Sequence, residues 1–81
     1  MNYTYMLECS DGSLYTGWTS DLKKRFDCHS RGCGSKYTRS RLPLRLIYCE
    51  PHKDKKTAMQ REYFIKHLTR SQKIDMIRGR A

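Results

Sequence analysis

Two runs rich in aromatic and β-favouring residues open the chain, Tyr3 to Cys9 and Ser13 to Trp18, and Ser10-Asp11-Gly12 between them is a turn signal. The pattern predicts a β-hairpin. Thr19-Ser20-Asp21 then offers an N-cap and an early negative charge for a short helix from Asp21 to about Ser30, whose Leu22 and Phe26 form an i, i+4 core pair. Gly32 and Gly34 end it. From Arg31 to Arg45 there is no apolar period, and the segment reads as a basic loop. Leu44 to Glu50 reads as a third strand, and Pro51 to Lys56 as a polar connector. A helix follows, opened by a Thr57-x-x-Gln60 capping box, with Ala58, Ile65 and Leu68 on one stripe. Ser71 to Arg78, with Ile74 and Ile77 on one side, makes a last short helix. These elements predict one mixed α/β domain over residues 1–81, a three-stranded antiparallel sheet flanked by helices, with no repeat or linker.

One polar residue breaks the apolar stripe. Glu62 lies four residues after Ala58 and three before Ile65, on the face that should meet the core. An ionised carboxylate there calls for a cation or several donors. The candidates are a metal ion or an arginine at the helix edge.

Charge narrows the partner. Seventeen Lys and Arg against eight Asp and Glu leave +9 on 81 residues, which suits a polyanion, with nucleic acid ahead of anionic membrane. No stretch approaches the ~20 apolar residues of a membrane span, and no segment joins a strong apolar face to a lysine-rich one. The start, Met1-Asn2-Tyr3-Thr4-Tyr5, lacks the basic and long apolar regions of a signal peptide, so a soluble cytoplasmic protein is expected, and no feature calls for an obligate protein partner. Of the four cysteines, only Cys28 and Cys33 are close together, at a C-x4-C spacing that is loose for zinc. Cys9 and Cys49, each at the end of a strand-like run, are expected to be small reduced core residues.

Tyr3-Thr4-Tyr5, then Tyr15-Thr16-Gly17, then Arg25 and His29 on a helix and a helical Glu62, together resemble the GIY-YIG nucleases. Tyr15 and Gly17 match the second motif, whereas only Tyr5 carries over from the first. The run Asp11 to Gly17, with Lys36-Tyr37-Thr38-Arg39 and Arg61-Glu62, resembles most the short bacterial members, and Trp18 stands where some members carry a lysine. The likeness covers roughly Tyr3 to Ile77.

The resemblance implies a metal-dependent, repair-related endonuclease that hydrolyses phosphodiester bonds of DNA, with Mg²⁺ or Mn²⁺ on Glu62. Phosphoryl transfer needs charge stabilisation more than covalent chemistry, and one carboxylate-held cation plus one guanidinium, Arg25, answers that need. Arg25 and His29 share a helical face at i, i+4, placed for a single phosphate or its attacking water. Tyr5 or Tyr15 then orients or deprotonates the water; His29, which titrates nearer neutrality than a phenol, competes for that role with a tyrosine as relay. Each residue also has an ordinary alternative. For the tyrosines it is packing, for Arg25 a solvated helix charge and for His29 the cap of the helix C-terminus. Arg31, Lys36, Arg39, Arg41 and Arg45, with Lys66 on the Glu62 helix, are candidate phosphate contacts. Tyr37 either stacks on an unpaired base or anchors its loop.

A geometric condition follows. A two-residue turn at Asp11-Gly12 would pair Ser10 with Ser13 and Tyr5 with Trp18, which splits Tyr5 and Tyr15 between the two faces of the sheet. A shared site requires an odd-length loop or a bulge, with Gly12 in the left-handed region.

Overall fold

The structure is a computed structural model, and it describes residues 1–79. The first two strands are β1 (Asn2–Glu8) and β2 (Leu14–Thr19), paired antiparallel with Tyr5 opposite Gly17 and Leu7 opposite Tyr15. The ladder closes on Cys9 and Ser13, since the Cys9 N–H donates to the Ser13 carbonyl at 2.9 Å. This leaves the odd-length loop Ser10-Asp11-Gly12. Gly12 has φ of +82° and donates back to the Cys9 carbonyl, the left-handed third position of a three-residue hairpin. Directly paired residues share a face, so Tyr5 and Tyr15 lie on the same side of the sheet.

Helix α1 (Leu22–Ser30) is capped by Asp21, whose side chain accepts from the Lys24 N–H, and it is followed by a four-residue helix α2 (Lys36–Arg39) capped by Ser35. The basic segment is therefore not all loop: Ser35 supplies a cap that basic composition and the lack of apolar period conceal. Strand β3 (Arg45–His52) pairs antiparallel with β1, giving the order β2-β1-β3 with a bulge between Met6 and Leu7. β1 is thus central, and it carries Tyr5, Met6 and Leu7, all fully or nearly fully buried.

The sheet is covered on both sides. Tyr5, Leu7, Cys9 and Leu44 form one cluster with Tyr15 and with Leu22 and Phe26 of α1. On the opposite face, the Thr4 hydroxyl donates to the Ala58 carbonyl of helix α3 (Lys55–Lys66), which buries Ala58 and Ile65. Arg61 of α3 forks onto Glu50 of β3, with Nε–Oε1 at 2.5 Å and Nη2–Oε2 at 3.1 Å. Helix α4 (Arg70–Ile77) opens on a capping box of Thr69 and Gln72 and keeps Ile74 and Ile77 half-buried.

Two further sequence expectations need correction. The cap of α3 is Asp54, accepting from the Thr57 N–H at 2.7 Å, not a Thr57/Gln60 box; an aspartate three residues earlier competes successfully for the same role. Cys49 is exposed, because β3 is an edge strand, whereas Cys9 is buried as expected. Cys28 and Cys33 are joined as a disulfide, where the chain turns back after α1 and the Cys33 N–H donates to the Cys28 carbonyl. No helix among the described residues is long and apolar enough to cross a membrane.

Candidate active site

A polar pocket lies beside the edge strand β2. Tyr5 and Tyr15 enter it from the sheet, Arg25 from α1 and Glu62 from α3. Gly17, Trp18, Thr19 and Ser20 complete the wall. Gly17 has a steric reason to be glycine. A Cβ there would stand 2.5 Å from the Tyr5 hydroxyl, because the Tyr5 ring crosses directly over the Gly17 backbone. Thr16 between Tyr15 and Gly17 points to the other face, where it is buried.

His29 behaves differently from the direct participant that the helical spacing predicts. It is fully buried and does not line the pocket; its Nε2 shares a 2.9 Å hydrogen bond with the Tyr5 hydroxyl, and its Nδ1 one of 3.0 Å with Thr38 Oγ1. Gly34 packs against the imidazole so closely that no Cβ fits there. Burial, and secondarily the positive charge of Arg25, push the His29 pKa below its ordinary value, so the ring is neutral near pH 7. One directed chain satisfies every group: Tyr5 O–H donates to Nε2, Nδ1–H donates to Thr38, and Thr38 O–H donates to the Ser35 carbonyl at 3.5 Å. Tyr5 is a neutral phenol near pH 7. Its pKa is raised, first by burial and then by Tyr15, against a lowering by Arg25. Tyr15, half-buried and edge-on to the His29 ring, is the tyrosine open to the pocket.

The depressed His29 pKa sets a stability prediction. Folding disfavours protonation of this ring, so its contribution is complete above the unfolded value near 6.5 and is lost as pH falls toward the folded one. The melting temperature should therefore drop as pH is lowered below about 6.5, and His29→Gln should flatten that part of a thermal-melt pH series. An unchanged slope in the variant contradicts the assignment.

Glu62 is half-buried, and its cation partner in the structure is not an arginine. Lys66 Nζ lies 3.3 Å from Glu62 Oε2, one helical turn on. Arginine is absent from this carboxylate because Arg61 points to Glu50 instead. Among the described residues, no three His, Cys, Asp or Glu side chains gather at one point. Glu62 is the one acidic residue lining the pocket. A single hard carboxylate fits Mg²⁺ or Mn²⁺, which keep several waters and take phosphate oxygens beside one or two carboxylates.

The basic residues divide. Arg31, Lys36 and Arg39 are exposed and make no ion pair among the described residues. Arg41 is tied to Asp11 (Nε–Oδ2 3.0 Å), and Arg45 to Glu8 (Nη2–Oε1 2.5 Å). Tyr37 stacks on Tyr15, with centroids 6.1 Å apart, and carries the Arg41 guanidinium 3.9 Å from its ring centre. That double engagement makes it an anchor for α2 rather than a free stacking surface. Lys55 also reaches this region, its Nζ standing 5.4 Å from the centre of the Trp18 ring. Nothing in the spacing of Trp18 and Lys55 signals their meeting, which depends on how α3 crosses the sheet.

A hairpin bearing two tyrosines, followed by a helical arginine and a helical glutamate around one pocket, defines a GIY-YIG nuclease-superfamily domain. The model of the GIY-YIG catalytic domain matches residues 1–75, and the chain belongs to that family. Within it, the chain groups with short bacterial proteins named UPF0213. It is 53% identical to the one from Clostridium perfringens, over 100% of this chain and 87% of that protein, and 56% identical to one from Bacillus cereus, over 85% and 72%. The solution NMR structure of the UPF0213 protein from Bacillus halodurans superposes with a TM-score of 0.62 at 47% identity, covering 95% of this chain and 83% of that one. That of a protein from E. faecalis gives 0.65 at 36% identity, with 96% and 83% covered.

Proposed function

We propose that this chain is a divalent-metal-dependent endonuclease that hydrolyses phosphodiester bonds of DNA in the cytoplasm, acting on branched, flap or single-stranded repair intermediates. The observation that carries the reading is the convergence of Tyr15, Arg25 and Glu62 on one pocket, with Tyr5 and its buried histidine behind them. Arg25 binds the scissile phosphate and offsets charge on its oxygens as the transition state forms. Tyr15, the more open of the two tyrosines, orients the attacking water and, in its phenolate form, takes the water's proton as the oxygen bonds to phosphorus. Tyr5, held as a donor to His29, fixes the Tyr15 side of the pocket and excludes bulk water. Glu62 holds Mg²⁺ or Mn²⁺, which when bound supplies Lewis-acid stabilisation of the phosphate oxygens. Arg31, Lys36 and Arg39 then run the DNA backbone past α2, which Tyr37 fastens to Tyr15.

The direct test incubates purified protein with flap, branched and single-stranded DNA in Mg²⁺ or Mn²⁺. Nicking that a chelator stops is expected; intact substrate under all these conditions removes the enzymatic reading. A non-catalytic nucleic-acid-binding module is the second reading, favoured by the Lys66 contact that already neutralises Glu62. The same assay separates the two.

Binding itself should weaken steeply with salt, since each phosphate neutralised contributes about −0.9 to the slope of log K against log salt for duplex DNA. Arg39→Ala should lower affinity evenly across sequences and reduce that slope by about 1. A slope unaffected by the substitution takes Arg39 off the phosphate path.

A further inference from the structure

One exposed surface next to the pocket is not used by the reading above. On α3, Met59, Tyr63 and His67 follow at i, i+4 spacing along the flank that also bears Glu62. Tyr63 is 67% exposed and Met59 44%, an unusual pairing of large apolar side chains beside a charged site. His67 backs the Tyr63 ring, with centroids 4.3 Å apart, and its Nδ1 hydrogen-bonds the Tyr63 carbonyl at 2.7 Å, so the phenol is held out rather than left to collapse. Lys55 and Lys56 rim the groove that Met59, Tyr63 and Glu62 line, and Lys66 stands one turn beyond Glu62.

We propose that this strip is a stacking platform for one unpaired nucleobase of the DNA, adjacent to the phosphate held at Glu62. The inference rests on the nuclease reading and specifies its substrate: a strand with at least one base free of its partner. Continuity carries it. Glu62 lines both the polar pocket and this groove, so a backbone whose phosphate sits at Glu62 places a neighbouring base over Met59 and Tyr63. Charge is complementary, because Lys55 and Lys56 face the flanking phosphates across the groove. The chemistry is sequence-tolerant, since every base presents a π-face. Tyr37, the stacking candidate in the basic segment, is engaged by both Tyr15 and Arg41 and is 39% exposed, whereas Tyr63 meets His67 and stays 67% exposed.

The test uses the full chain with Ca²⁺ in place of Mg²⁺, which leaves Glu62 a cation for the phosphate while holding back cleavage, with a single-stranded oligonucleotide and a blunt duplex of equal length, each carrying 2-aminopurine. Wild type should quench the probe in the single strand. Tyr63→Ala should weaken single-strand binding by about five- to a hundredfold, the ordinary worth of a stacked base, and change duplex binding by less than about twofold. Tyr63→Phe should restore the single-strand affinity, and Lys55→Ala should reduce its salt slope. Tyr63 lies on the surface, and matched thermal melts check that each variant is folded. Single-strand affinity within about twofold of wild type in Tyr63→Ala, or an equal loss on duplex, overturns the proposal. So does sedimentation showing that Tyr63→Ala converts a dimer to monomer with DNA binding unchanged, which makes the face an interface between copies. Failure of the nuclease reading looks different: quenching and its loss in Tyr63→Ala persist, but no substrate is nicked when Mg²⁺ is restored.

Discussion

Glu62→Gln should reduce cleavage by at least about 10³-fold while leaving the fold and DNA affinity in place. The substitution keeps the shape of the side chain and removes only its charge. Its packing neighbours on α3, Ala58 and Ile65, are untouched, and the Lys66 contact it breaks is a partly exposed i, i+4 pair worth about 0.3–0.5 kcal/mol. For a domain of this size that moves the melting temperature by no more than about 4 °C. Single-turnover nicking, a thermal melt and a binding titration on the same preparation read all three quantities. Retained cleavage shows that Glu62 is not the metal ligand, and a collapsed melt shows that its charge is structural.

Arg25→Ala comes second in expected size, a loss of about 10²–10³ in kcat with KM changed much less, because its charge acts most strongly on the transition state. Arg25 is exposed on α1 and its removal leaves the Leu22 and Phe26 packing intact, so stability should barely change. Arg25→Lys should recover only part of the rate, since an ammonium cannot present the planar fork of a guanidinium to phosphate. A separate signature distinguishes the arginine from a solvated surface charge. Arg25 holds the His29 pKa down, so its loss should move the His29 titration upward in an NMR pH series. If both kcat and the His29 titration are unaffected, Arg25 stands outside the site.

Local signals in the sequence carried a large part of this outcome. Asp21 caps α1, and Leu22 and Phe26 pack as an i, i+4 pair, because capping and helical periodicity act within a few residues. The shared face of Tyr5 and Tyr15 also followed from chain-level reasoning, since strand parity and loop length leave a single consistent choice once both phenols are placed in one pocket. Where two local signals compete, the chain's path decides: Asp54 and Thr57 both suit an N-cap, and which one starts α3 is set by where β3 delivers the chain. Ser35 carries no such signal as a cap, because one turn of helix has no room for an apolar period.

The sequence by itself determined the mixed class, the hairpin, the helices and the family to which its tyrosines, arginine and glutamate belong. The tertiary structure alone decided which residues meet across long stretches of chain. β1 becomes central only when β3 pairs on its far side, and this buries Tyr5. Thr38 of α2 and Gly34 before it close over His29, converting a predicted proton acceptor at the phosphate into a neutral partner of Tyr5. Arg41 with Asp11 and Arg45 with Glu8, roughly thirty or more residues apart, withdraw two cations from a basic segment whose composition treats all five alike. Periodicity and capping report neighbours along the chain, whereas burial, ion pairing and pKa depend on neighbours in space, and sheet order sets those.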